Sequence, residues 1–197
     1  YTLRGYGLRT KSYELPKPDM KLTLEQLSSN LRNVKLPAVK ILVTGGGRVS
    51  QGAQYVLNAI GAKEMSEYEY LAIDSVANLS FTVAKANQLV NRVDDGGFDS
   101  KEFKKYPEKY KSNFFMWAKA TDILISAHYW DSKAPVYLSQ DDLRNAENRI
   151  CMIGDITCDI MGSIKSTIRS STHDEPYYDY NPISEQEETP FSCEKNI

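Results

Sequence analysis

The residues with the clearest chemical potential are Gly45, Gly46 and Gly47, followed at once by Arg48, Val49 and Ser50. The spacing Gly45-x-Gly47-x-x-Ser50 fits a dinucleotide fingerprint, with serine where the third glycine or alanine usually sits. The first glycine lets a chain turn tightly out of a strand, and the second removes a Cβ so that a pyrophosphate can approach the backbone. A helix opening at about Ser50 would add unpaired N–H groups and the positive end of its dipole. A glycine turn with a purely structural duty is the competing reading.

Further candidates lie where strands should end. An acidic residue about 20 positions beyond the glycines would accept from a ribose hydroxyl. Glu67 stands at that distance, and Asp74 becomes the alternative if the second strand runs on through Tyr68–Ile73. No arginine occurs at 63–70 to receive a 2′-phosphate, which favours NAD over NADP. Ser126 and Ala127 are small enough to let a ribose or nicotinamide pass close to the backbone. His128 beside them titrates near neutrality in water and invites an acid–base role, or it forms a pocket wall. Asp155 and Asp159, with Thr157 between them, could hold an ammonium group, or could serve as a cap and a turn residue. No GxSxG and no paired cysteine and histidine point to a nucleophile.

These residues need a frame, and the pattern around them supplies one. Val39, Ile41, Leu42 and Val43, interrupted by Lys40, form a strand that feeds the glycines. Ala53, Val56, Leu57 and Ile60 then mark one face of a helix. Lys63–Ser66 reads as a second strand and Leu79–Ala84 as a third. Thr121–Ala127 and Ile150–Asp155 are near-continuous apolar runs, and Asn113–Lys119 and Ser139–Asn145 read as short helices between them. Such runs separated by helices imply an α/β fold: a three-layer, Rossmann-type, doubly wound parallel sheet. Thr23-Leu24-Glu25-Gln26 is a capping box that starts a helix ended by Pro37. Polar Asn87–Lys111, broken by Asp94-Asp95-Gly96-Gly97, reads as a loop or insertion. Residues 1–21 are expected to be a linker or the tail of a preceding domain. Residues 22–165 are the dinucleotide-binding domain, and 166–197 are irregular with at most an isolated strand.

Bulk properties narrow the classes. The chain has 197 residues, 41% hydrophobic and 25% charged, with formal net charge −2. Without a basic stripe, nucleic acid is excluded as a partner. No apolar stretch has the length to cross a bilayer, so no membrane partner is expected. Cys151, Cys158 and Cys193 lack metal-ligand spacing and suit reduced thiols in the cytoplasm. No metal site is expected. A first residue other than methionine suggests a piece of a longer protein.

Three segments together are more specific than any one alone: VKILVTGGGRVSQGAQYVLNAIGAKE, ATDILISAHYWDSKAPVYLSQDDL and ICMIGDITCDIMGSI. In this order they resemble the nucleotide-binding domain of the saccharopine dehydrogenase (lysine-forming) and alanine dehydrogenase group, over about Pro37 to Ile164. The resemblance implies an NAD(H)-binding fragment of an amino-acid dehydrogenase, an oxidoreductase of lysine metabolism acting on a C–N bond. It places Gly45, Gly46, Gly47, Arg48, Val49 and Ser50 at the cofactor, with Gly47 and Arg48 on the phosphates. Ala127 and His128 fall on the adenosine side, and Ile156 at the nicotinamide. Thr157, Cys158 and Asp159 approach an amino-acid or 2-oxo acid substrate. The ribose aspartate of the group maps to Glu67 or Tyr68, neither of which is aspartate. The group's acid–base lysine and histidine belong to a second domain, upstream of Tyr1, so this fragment is expected to be inactive alone. A homodimer is compatible with this reading. Two other classes fit the glycine turn: a free-standing nucleotide-binding or regulatory module, and an S-adenosylmethionine-dependent methyltransferase.

Overall fold

A computed structural model describes residues 1–19, 21–193 and 196–197. Strand β1 (Lys40–Thr44) is buried along its whole length and runs into the glycines. Helix α3 (Arg48–Ala59) follows, after α1 (Thr2–Thr10) and α2 (Leu24–Arg32). It opens at Arg48, two residues earlier than expected, because Gly47 already has the extended backbone of an N-cap (φ −90°, ψ −174°). The capping box of α2 forms as read, with Thr23 accepting from the Gln26 amide at 3.2 Å and Gln26 accepting from the Thr23 amide at 2.8 Å.

Five parallel strands make the central sheet: β1, β2 (Lys63–Glu64), β3 (Ser80–Ala84), β6 (Ile123–Ser126) and β7 (Met152–Asp155). Their order is β2-β3-β1-β6-β7. The α/β Rossmann-like architecture is therefore present, but the strand beside β1 is the third, not the second. Burial explains the exchange. Both residues of β2 are exposed, whereas β3 is almost wholly buried and needs neighbours on each edge. A two-residue polar strand is suited to an edge.

Alternation along the strands divides the apolar residues between two cores. Leu42 and Leu124 face one layer with Tyr70, Leu89, Trp117 and Leu143. Ile41, Val43, Phe81 and Ile123 face the other with Leu57, Leu3 and Tyr6. Four helices sit in the first layer: α4 (Glu67–Ala72), α5 (Ala86–Leu89), α7 (Phe115–Ala118) and α8 (Gln140–Arg144). Buried Lys40 occupies the amino end of β1. Its ammonium donates to the carbonyls of Tyr70 (2.6 Å) and Ile73 (2.5 Å) and lies 4.5 Å from the centre of the Tyr70 ring. Burial lowers its pKa.

Three segments differ from the sequence expectation. Asn87–Lys111 is built rather than looped. Strands β4 (Val90–Arg92) and β5 (Tyr110–Ser112) pair antiparallel around α6 (Ser100–Lys105), and Phe98, Phe103 and Tyr110 cluster edge-on. The irregular segment contains an antiparallel hairpin, β8 (Asp179–Asn181) and β9 (Gln186–Glu188). Within 166–197, Glu194 and Lys195 lie outside the described residues, as does Met20 within 1–21. Part of the expected tail, α1, packs against β6 and β7. Gly5 makes this approach feasible, because a Cβ there would collide with Met152. Arg9 then pairs with Asp179 at 2.5 Å, both side chains buried, and ties α1 to the hairpin.

Candidate functional site

The strand registers set Ala84, Thr44, Ser126 and Asp155 level with one another at the carboxyl end of the sheet. The chain leaves β1 toward one edge and later crosses to β6 on the other side. That reversal opens a crevice between the ends of β1 and β6, where ligands of doubly wound sheets bind.

The glycine turn borders this crevice. Gly45 has φ +94°, and a Cβ there would stand 2.7 Å from the Ala127 carbonyl oxygen and 2.8 Å from the His128 Cα. No other residue fits. Its amide donates to the Ala84 carbonyl at 2.8 Å. Gly47 differs: nothing lies within 4 Å of the position its Cβ would take. No side chain caps α3, and no acidic residue occupies its first turn. By contrast, α2, α4, α6 and α8 are capped by Thr23, Ser66, Asp99 and Ser139. The amides that open α3 thus lack a side-chain partner beside an open space that suits an anion. Arg48 and Val49 are exposed on this shoulder. Ser50 is fully buried, and its hydroxyl accepts from Gln54 at 3.0 Å. The third fingerprint position therefore packs the helix, and any part Ser50 plays toward a ligand falls to its amide.

The ribose candidates are arranged otherwise than the sequence suggested. Glu67 begins α4 after the edge strand, two strands away from β1, and accepts from Gln88 at 2.5 Å. Exposed Asp74 lies at the opposite, amino end of the sheet, where its carbonyl accepts from Arg149 and the neighbouring Ile73 carbonyl holds Lys40. The strand that does flank β1 ends at exposed Lys85, whose side chain passes 3.5 Å from where a Gly46 Cβ would stand. Lys85 was hidden in the sequence because its position depends on the exchanged strand order.

His128 closes the floor. The Ala127 amide donates to Thr44 Oγ1 at 3.2 Å, and Thr44 Oγ1 lies 2.7 Å from His128 Nδ1. His128 Nε2 lies 2.9 Å from Ser163 Oγ, and the imidazole packs on Tyr137 with centroids 4.5 Å apart. Each ring nitrogen thus faces a hydroxyl, and the neutral ring donates to one of them and accepts from the other. Burial pushes the pKa of His128 down to about 4, against a smaller upward pull from Asp155. A neutral ring with both nitrogens engaged is a clasp between β1 and the 163 loop, poorly placed for proton transfer at neutral pH. Tyr129, next in the chain, is 88% exposed.

At the end of β7, Asp155 is consumed by its own turn. One carboxylate oxygen accepts from the Thr157 amide (3.1 Å) and hydroxyl (2.7 Å), the other from Thr167 (2.6 Å). Both oxygens of Asp155 are thus engaged within the chain. Ile156 is half-exposed, and Cys158 is exposed with φ +57°. Cys151, Cys158 and Cys193 are free thiols. Among the described residues, no helix is long and apolar enough to cross a membrane, and no group of three or more His, Cys, Asp or Glu is placed to hold a metal.

No family model matches the chain. Among known proteins it is similar to mitochondrial alpha-aminoadipic semialdehyde synthase of Mus musculus, with 27% identity over 177 residues, 79% of this chain and 19% of that protein. The Bos taurus counterpart is 26% identical over the same share of each chain. Alpha-aminoadipic semialdehyde synthase of Arabidopsis thaliana is 25% identical, covering 80% of this chain and 17% of that protein. The chain thus spans about a fifth of the length of these relatives.

Proposed function

We propose that this chain is the dinucleotide-binding domain of an amino-acid dehydrogenase of the saccharopine dehydrogenase type, an oxidoreductase acting on a C–N bond in lysine metabolism. The observation that carries the reading is the open shoulder at Gly47, beside the uncapped start of α3, at the reversal point of a parallel sheet. A pyrophosphate fits where a Cβ would otherwise stand. The relatives' name, a semialdehyde synthase, agrees with a place in amino-acid chemistry. A nicotinamide cofactor would supply the hydride. The chain's own part is to bind and orient: Gly47, Arg48 and the first amides of α3 hold the phosphates, Gly45 and Ala127 line the floor, and Ile156 offers an apolar surface to the nicotinamide. Thr157, Cys158 and Asp159 face the substrate side.

The absence of arginine at 63–70 favours NAD. With Glu67 two strands away and Lys85 at the end of the flanking strand, a phosphorylated ribose gains a partner, and NADP is the second reading. The reducing compartment is read as the cytoplasm from the free thiols, while the mammalian relatives are named mitochondrial. A substrate amino acid or 2-oxo acid and a second copy of the chain remain the proposed partners.

Calorimetric titration of the chain with NADH, NADPH and S-adenosylmethionine tests this. A nicotinamide dinucleotide should bind, and Gly47→Val should abolish binding with an unchanged circular dichroism spectrum. Unaltered affinity in that variant, or selective binding of S-adenosylmethionine, overturns the reading. The chain alone should show no turnover with saccharopine, with lysine plus 2-oxoglutarate, or with alanine. Among the described residues, no free acid–base pair stands at the crevice, and such a group is typically worth about 10²–10⁴-fold.

A further inference from the structure

Buried Lys40 lies at the end of the sheet remote from the crevice, yet it is built into the helices that flank the nucleotide shoulder. A charged group costs free energy to bury, and methionine would fill the same space at lower cost. What the ammonium adds is direction. From the amino end of β1 it donates to the carbonyls of Tyr70 and Ile73, at the carboxyl end of α4. Helix α4 has six residues, too few to persist alone, and its last carbonyls lack partners within the helix. We propose that Lys40 is a positioning residue for the nucleotide site, acting through α4 and Gln88 on the backbone of Lys85. The proposal rests on the dehydrogenase reading above and on Lys85 as the group that meets a phosphorylated ribose.

Two lines of contact lead from α4 to Gln88. The inner line is buried. The Tyr70 ring lies 4.5 Å from the Lys40 ammonium, its hydroxyl pairs with Thr121 Oγ1 at 2.9 Å, and the ring packs on Trp117 with centroids 6.2 Å apart. The Trp117 indole N–H then donates to the Gln88 carbonyl at 3.2 Å. The outer line is exposed: Gln88 Nε2 donates to Glu67, the first residue of α4, at 2.5 Å. Both lines meet at Gln88, whose Oε1 accepts from the Lys85 amide at 2.7 Å. From there the Lys85 stem passes 3.5 Å from where a Gly46 Cβ would stand. Lys40 is held in turn, because its own amide donates to the Asp122 carboxylate at 2.8 Å, at the entry to β6. A pin set in the strand that feeds the glycine turn thus fixes the two short helices, α4 and α5, that carry Lys85 to the shoulder.

Amide hydrogen exchange followed by NMR tests the connection without a ligand. Lys40→Met keeps the length of the stem and removes the donors. It should speed exchange in α4 and at the Lys85 amide, and leave Ile123–Ser126 as protected as before. Calorimetric titration then reads the site. NADPH affinity should fall roughly threefold in Lys40→Met, the low end of what residues remote from a ligand contribute, while NADH affinity stays nearly unchanged. Loss of packing alone would move both affinities together or neither. Trp117→Phe, which deletes the indole donor, should repeat the effects at Lys85 and on NADPH with exchange in α4 unaltered, and it carries the test if Lys40→Met does not fold. Unchanged exchange at Lys85, exchange that rises evenly over the whole sheet, or equal losses for the two cofactors each overturn the proposal. Exchange at Lys85 that responds with no change in NADPH affinity overturns the proposal alone. Failure of the unaltered chain to bind either nucleotide overturns the dehydrogenase reading and the proposal with it.

Discussion

Gly45 and Gly47 sit two residues apart in one turn and belong to different surfaces. Gly45 is part of the crevice floor, where Thr44, Ala127, His128 and Ser163 satisfy one another and leave no room for a methyl group. Gly47 belongs to the shoulder, where a methyl group would meet nothing and the helix start lacks a cap. The floor is finished without a ligand, and the shoulder is not. A fingerprint therefore mixes residues that hold the fold together with residues that leave space for a partner, and the two are separable by substitution.

The sharpest way to break this contrast is to add one methyl group at each glycine. Gly45→Ala forces a positive φ and a backbone collision, and should cost more than about 3 kcal/mol in urea unfolding. Gly47→Ala should change stability by about 1 kcal/mol or less, within the range for N-cap exchanges. Similar losses at both positions would erase the distinction.

Acid should loosen the floor next. His128 has an ordinary pKa of 6.5 when unfolded and about 4 when folded, so between these values the unfolded chain binds more protons. Its contribution is complete above about pH 6.5 and declines as pH falls toward 4. The full loss is roughly 3 kcal/mol, at about 1.4 kcal/mol per pKa unit. Unfolding curves at several pH values, for the chain and for His128→Gln, should differ in slope across that window. Parallel slopes would mean that the ring is not clasped.

The smallest effect sharpens the shoulder. Lys85→Ala should reduce NADPH affinity about tenfold, the scale of one phosphate contact, and leave NADH affinity nearly unchanged. Equal effects on both cofactors would return the argument to NAD and move Lys85 off the ribose.

Local signals were the legible part of the sequence. The capping box at Thr23, the short helix after Ser139, the strand runs at 40–44, 123–126 and 152–155, and the glycine turn all depend on neighbours within a few residues. Pairing order was not legible, because whether 63–64 or 80–84 lies beside β1 depends on burial against elements distant in sequence. That one exchange puts Lys85, and not Glu67, at the end of the strand that flanks β1. Helix α1, with Gly5 and Gly7 and low intrinsic helical preference, forms because its glycines admit β7 and Tyr13. The β8–β9 hairpin is masked in the sequence by the acidity of Glu185–Glu188, whose carboxylates find partners in Arg144 (Glu185), Arg169 (Glu187) and Asn181 (Glu188). Of the candidate site, the turn and the end of β7 were visible in advance. The neutral state of His128 and the role of Asp155 as an internal acceptor required the three-dimensional partners.

The Arg9–Asp179 pair joins positions 170 residues apart. Closing so long a loop is entropically unfavourable until the sheet between them has already brought its ends together. The docking of helix α1 on the hairpin is therefore a late step in folding. The parallel sheet, itself rich in long-range contacts, sets the pace of assembly, and the buried ion pair acts as its final latch.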